Sequence, residues 1–459
     1  MMGNAWLKYD EKETQTCMEF GKNYMEFISK CKTERVCVKE SIEMAEKAGY
    51  RDFKEIISNG ESLKAQDKIY YNMMNKSIVL MHLGNDPLEK GMNLLGAHVD
   101  SPRMDLKQRP LYEKDGLVYL DTHYYGGIKK YQWVTIPLAL YGVICKKNGE
   151  VVEISIGDQE TDPVFVVSDL LIHLASKQLQ KSAAEVVEGE NLNVTFGSIP
   201  VKEEDKETVK ANILDLLKKK YNVEEEDFLS AEIEVVPAGK ARSCGLDESM
   251  ILGYGHDDRI CAYPSLMAQL QMENVDRTCV TLLVDKEEIG SVGATGMQSR
   301  FFENFVAEVF YALGDYSEIK VRRALQNSHM LSSDVCAAHD PNYPEVTSDR
   351  NMGEFGHGLA ICKYTGSRGK SGCNDASAEF MAVLRKLFDD NNVSWQTSEL
   401  GKVDAGGGGT IAYIMGNYGM NVVDAGVPVH NMHSPAELCS KADIYEAYKG
   451  YIAFLKECK

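Results

Sequence analysis

Positive charge is in short supply in this chain relative to negative charge. Its 459 residues carry 50 Lys and Arg against 69 Asp and Glu, a formal net charge of −19. That balance argues against nucleic acid or an anionic membrane as partner, and it favours solubility. No stretch is long and apolar enough to span a bilayer. Residues 1–10 lack an apolar core followed by a cleavage site, so no signal peptide is evident. None of the twelve cysteines forms a Cys-x-x-Cys pair. Several sit in apolar runs, where a free thiol acts as a small hydrophobe. This is reduced, intracellular usage rather than a disulfide frame, and the expected address is cytoplasmic. Repeats and low-complexity tracts are missing too, apart from the glycine run 406–409.

The length exceeds one ordinary core, so two domains are expected. Residues 12–31 and 34–48 read as amphipathic helices, the second ended by Gly49. Apolar strands follow at 77–82 and 93–99. Between 103 and 240 the texture changes to alternating strands (117–120, 135–144), with Asn148-Gly149 as a hairpin turn between 143–145 and 151–154. One helix is predicted at 206–221. After 245 an α/β rhythm returns, with helices predicted at 259–272, 297–313, 374–388 and 440–456. The expected fold is α/β: a split domain (1–102 and 241–459) with a mixed, largely parallel sheet flanked by helices, and an inserted mostly-β domain (103–240).

The chemistry gathers at strand ends. The apolar run 280–284 reads as a buried strand of a parallel sheet and leads at once into Glu287 and Glu288. Such sheets bind ligands at the carboxyl ends of their strands. Two adjacent carboxylates there repel, and a cation relieves the repulsion. With a metal present, one can be a ligand and its neighbour a general base. His98 and Asp100 close the strand 92–100, and Asp334 closes 329–334. His433 follows 421–426 through a short loop. Asp257 and Asp258 precede a helix-like stretch. Imidazole with carboxylate suits zinc, cobalt or manganese better than calcium or magnesium. Asp100, two residues from His98, shares its face and is placed to accept from the non-coordinating ring nitrogen. His256 and His430 stand beside proposed ligands and are spaced to compete for a metal.

Five segments occur in a recognisable order: Gly96-Ala97-His98-Val99-Asp100-Ser101-Pro102, His256-Asp257-Asp258-Arg259, Asp285-Lys286-Glu287-Glu288-Ile289-Gly290-Ser291, Ser333-Asp334-Val335-Cys336-Ala337-Ala338-His339-Asp340-Pro341-Asn342-Tyr343 and Met432-His433-Ser434. Together they resemble the dinuclear metallo-aminopeptidases of the aspartyl aminopeptidase and vacuolar aminopeptidase I family. The resemblance implies two divalent ions per subunit, zinc first and cobalt or manganese as alternatives. It implies Asp257 as the bridging carboxylate, His98 and Asp334 on one ion, and Glu288 and His433 on the other. Glu287 would be the general base. It also implies cleavage of N-terminal residues from peptides, dimer contacts through the inserted domain, and dimers that close into a tetrahedral dodecamer.

The resemblance extends to substrate-binding residues. His173 matches a histidine that reaches a neighbouring subunit's site; the alternative is a core histidine on an apolar helix. Lys363 matches a lysine associated with acidic substrates; the alternative is a solvated lysine at a strand end. Gly408 and Gly409, in the run before a predicted helix 411–418, would bind the substrate main chain through bare N–H groups; the alternative is a tight glycine turn. Asp258 is expected to stand behind the ligands as a supporting carboxylate that faces Arg259. Two other readings stay open: a metal-dependent deacylase of N-acyl amino acids, and a non-catalytic shell protein that keeps the fold.

Overall fold

The computed structural model describes residues 3–202, 207–366 and 368–459. Contacts divide the chain into two compact units. The first comprises 1–101, 241–432 and 436–459; the second comprises 102–240 and 433–435.

The first unit is built on one nine-stranded sheet. Its strands in chain order are β1 (Arg51–Asp52), β2 (Lys68–Met73), β3 (Ser77–His82), β4 (Met92–His98), β5 (Thr278–Val284), β6 (His329–Ser332), β7 (Leu359–Cys362), β8 (Trp395–Thr397) and β9 (Asn421–Gly426). Across the sheet they run β1-β2-β3-β5-β4-β6-β9-β7-β8. The pairs β1/β2, β5/β4, β4/β6, β6/β9 and β7/β8 are parallel. The pairs β2/β3, β3/β5 and β9/β7 are antiparallel. The sheet is therefore mixed and largely parallel.

Its strands are apolar on both sides because both faces are covered. Successive residues alternate between two cores, as the period of two demands. Leu95, Ala97, Cys279, Leu283, Leu331 and Val423 join one core with the helices α1 (Glu11–Lys30), α2 (Glu34–Lys47), α3 (His256–Leu270) and α4 (Lys441–Glu457). Leu94, Val280, Leu282, Met330 and Val422 join the other, with Phe302, Phe305 and Val309 of the helix Phe301–Ala312. Full burial of a side chain such as Phe302 contributes about 1.5–3 kcal/mol. The result is three layers, helices on both faces of a sheet.

The second unit carries a seven-stranded antiparallel sheet, with Leu138–Cys145 between Val151–Ile156 and Ala231–Pro237. Gly149 takes φ +87° in the hairpin predicted at Asn148-Gly149. The strand predicted from 135 begins at Leu138, because Thr135 sits at φ +60°, outside strand geometry. The helix predicted at 206–221 spans Thr208–Tyr221; Lys206 lies outside the described residues. Among the described residues no helix is long and apolar enough to cross a membrane.

Candidate metal centre

Parallel register sets the level of the candidate ligands. His98 pairs with Val284, the last residue of β5. Ser332 pairs with Gly96, so two residues further on Asp334 stands level with His98. Ser332 also pairs with Asp424 on β9, which brings Gly426 alongside Asp334. A Cβ at Gly426 would lie 1.9 Å from the Asp334 carbonyl oxygen, so only glycine fits beside this ligand.

His98, Asp257 and Asp334 each offer one donor atom, and the three atoms lie within 4.8 Å of one another. Nε2 of His98 is 3.1 Å from Asp257 Oδ1. Its Nδ1 donates to the Asp100 backbone carbonyl at 3.0 Å, with the Asp100 carboxylate at 3.3 Å. That donation makes Nε2 the lone-pair nitrogen facing the cluster. The backbone carbonyl, rather than the carboxylate expected from the sequence, is the nearer acceptor. The Asp100 carboxylate also accepts from the N–H groups of Glu287 and Glu288, both at 3.2 Å. Lys286, at φ +70°, turns the chain so that both N–H groups point back at Asp100. Glu287 then places Oε2 3.8 Å from His98 Nε2. Glu288 offers an oxygen within 4.8 Å of one on Asp257.

The electrostatics call for a cation. Two carboxylates with oxygens within 4.8 Å of each other repel by about 3.5 kcal/mol or more at an effective dielectric of about 20. Burial pushes the Asp334 carboxyl well up, and the nearby charges of Asp258 and Glu287 push it further. Burial raises Asp258 as well. For His98, burial alone acts downward, but hydrogen bonds to Asp100 and Asp257 outweigh it and hold the ring well above its ordinary value. A divalent ion among these donors would relieve all three, and one imidazole with carboxylates suits zinc. The residues fit the metal.

His433 belongs to the second unit, at φ +67°. Its Nδ1 donates to the Gly127 carbonyl at 2.8 Å, which makes Nε2 the lone-pair nitrogen. The two rival histidines are engaged elsewhere. His256 is fully buried, with Nδ1 2.7 Å from the Tyr24 hydroxyl and Nε2 3.2 Å from the Ile251 carbonyl. His430 donates from Nε2 to the His339 carbonyl at 3.0 Å and packs on Phe355. Asp258 supports a proposed ligand, as expected, through the His98 main chain. Its Oδ2 accepts from the His98 backbone N–H at 3.1 Å, while Arg259 donates to the carbonyls of Val99 and Lys32. Glu437 was missed. It accepts from Asp257 N at 3.1 Å, and its only signal in the sequence is its place four residues after His433.

The remaining candidates are spread more widely. His173 sits in the exposed turn Ile172–Leu174, not on an apolar core helix, because the flanking Leu171, Ile172 and Leu174 are themselves exposed. Lys363 is ion-paired with Asp375. Lys370 holds the other Asp375 oxygen at 2.9 Å and stacks over Tyr364, whose hydroxyl donates to Glu399. Gly408 accepts from Gly366 N at 2.7 Å, and both Gly408 and Gly409 are exposed. The helix after them is only Ala412–Gly416, shorter than the predicted 411–418, and Gly416 packs against Asn374. With two residues between the glycines and a single helical turn, their N–H groups do not form a helix start.

A mixed, helix-covered sheet with a histidine and two carboxylates gathered at its strand ends describes a metal-dependent hydrolase. Comparison with known proteins gives the family. Residues 27–455 match the family described as Aminopeptidase I zinc metalloprotease (M18), and the chain belongs to it. A probable M18 family aminopeptidase 1 from Clostridium acetobutylicum is 59% identical, over 98% of this chain and 97% of its own. The crystal structure of an M18 aminopeptidase from Thermotoga maritima has a TM-score of 0.95 at 42% identity, covering 100% of this chain and 99% of that one. The S. cerevisiae mApe1 dodecamer shares the fold at 19% identity, with a TM-score of 0.76 and coverage of 96% and 97%. The protein is thus a metal-dependent aminopeptidase.

Proposed function

We propose that this aminopeptidase works through two divalent ions, zinc by family, and removes N-terminal residues from peptides in the cytoplasm. The observation that supports the reading is the His98–Asp257–Asp334 group, its first two residues buried, beside Glu287 and Glu288. Asp257, His98, Asp334, Glu288 and His433 would hold the ions. Bound there, the ions would polarise the scissile carbonyl and acidify water.

Every other step belongs to the chain. Glu287 accepts the proton of the attacking water and returns it to the leaving amine. Asp100 anchors the main chain of Glu287 and Glu288 through their N–H groups. The carboxylates around the centre hold the free α-amino group of the substrate, which makes exopeptidase cleavage natural. Gly408 and Gly409 line the substrate main chain, and His173 reaches the site of a neighbouring copy. The second unit supplies the dimer contact, and dimers assemble into a closed dodecamer that admits short peptides.

Specificity follows from the surroundings of Lys363. Two ammonium groups, Lys363 and Lys370, meet two carboxylates, Asp375 and Glu399, through the contacts above. The cluster is neutral overall, so we read acidic N-terminal residues as tolerated rather than selected. The test is a panel of unblocked aminoacyl substrates and short peptides beside their N-acetyl forms. The panel is run before and after chelation, with zinc, cobalt and manganese restored singly. Chelator-sensitive turnover of unblocked forms is expected. Turnover of blocked forms alone would establish the deacylase instead.

A further inference from the structure

Asp257 lies at the start of α3 but outside regular helix, with φ −80° and ψ 105°. Helical hydrogen bonds therefore do not set its backbone. Side chains hold it from both peptide planes. Glu437 Oε2 accepts from Asp257 N at 3.1 Å, and Ser101 Oγ donates to the Asp257 carbonyl at 2.6 Å. The residue before it, His256, is locked as well. Its Nε2–H donates to the Ile251 carbonyl, so its Nδ1 is the acceptor for the Tyr24 hydroxyl of α1. Cys439 Sγ closes the pocket 3.8 Å from both ring nitrogens. All of these side chains are buried.

We infer that Tyr24, His256, Ser101 and Glu437 are positioning residues for Asp257, and that through Tyr24 the N-terminal helix α1 is a working part of the metal centre. The inference rests on Asp257 being a metal ligand. Its physical ground is that a ligand shared by two ions must hold both oxygens in place, and a backbone outside regular helix has rotational freedom to lose. Groups that orient metal ligands typically change metal affinity by about 10–100-fold when removed.

The experiment uses the full chain, stripped of metal and titrated with zinc against a chromogenic chelator. Tyr24→Phe removes one hydroxyl and keeps the ring. It is expected to weaken zinc binding about tenfold or more and to lower kcat at zinc concentrations that saturate the wild type, with KM little changed. The melting temperature of the metal-free protein should stay near wild type. Ser101→Ala, a smaller change, should weaken zinc binding in the same sense. His256→Asn, which keeps an acceptor near the Nδ1 position, should restore much of what His256→Phe loses.

Wild-type zinc affinity in Tyr24→Phe or Ser101→Ala, with lowered metal-free stability, would make these contacts merely structural and overturn the inference. Wild-type protein that takes up no zinc would overturn the metal-centre reading and this inference with it.

Discussion

Replacing Asp424 by asparagine tests the electrostatics of the strand ends without touching a proposed ligand. Asp424 is buried on β9, and Thr410 Oγ1 donates to its Oδ1 at 2.6 Å. Burial raises its carboxyl from 3.8 to about 6, against the opposing pull of the Thr410 and Ser332 hydroxyls. Between those values the folded chain holds a proton that the unfolded chain has released. Stability therefore falls as pH rises from about 4 to about 6, and the full cost stands above that window. The shift of roughly two units is worth about 3 kcal/mol at most. Asparagine keeps an acceptor for Thr410 but brings amide protons that need partners, at a cost of about 1–3 kcal/mol if they find none. The variant should match or trail wild type near pH 4 and gain on it steadily up to pH 6, then hold level. The assay is the difference in melting temperature between variant and wild type, both metal-free, at half-unit steps from pH 4 to 8. A difference that stays constant over that range would show that Asp424 titrates normally and would refute the burial argument.

Other perturbations address the centre itself. Glu287→Gln should lower kcat by about 10²–10⁴-fold, the usual worth of a general base, with metal content by elemental analysis unchanged; loss of metal would recast Glu287 as a ligand. His433→Ala should lose affinity for one of two ions in chelator titration, and full activity with both ions retained would remove His433 from the ligand set. Asp375→Ala should free Lys363 and raise the ratio of acidic to neutral N-terminal cleavage about two- to fivefold, a modest change because the pair is about 40% exposed and surface pairs are weak; an unchanged ratio would place Lys363 away from the substrate side chain.

The sequence made the sheet and the strand-end chemistry legible because both leave local marks. Runs such as 280–284 are apolar without alternation, which is what a strand covered on both faces requires. The hairpin at Asn148-Gly149 was written in its turn residues. Partners set by tertiary approach left no such mark. Nothing near His256 announces that a tyrosine 232 positions away would occupy its Nδ1. Asp258 reads as an ion-pair partner for the adjacent Arg259, yet α3 turns it toward the His98 N–H. His173 stands in an apolar stretch that reads as core, but periodicity does not tell a buried stripe from an exposed patch. The one-turn helix after the glycine run was overestimated: it ends at Gly416, and Gly419 at φ +81° turns the chain before β9 begins at Asn421.

Asp100 shows why adjacency in sequence and role in the centre come apart. Its nearness to His98 suggests a carboxylate devoted to that ring, but a strand end offers the ring a backbone carbonyl as well, and the carbonyl is the closer acceptor. The carboxylate is then available to bridge to the next strand, where the turn at Lys286 presents two successive N–H groups. One residue thereby helps to orient a histidine and two glutamates. The consequence for the chemistry is that the main chains of Glu287 and Glu288 are both anchored on one carboxylate. A centre that needs one glutamate to bind and its neighbour to move a proton is served by such an arrangement, because the two side chains leave the same anchored turn.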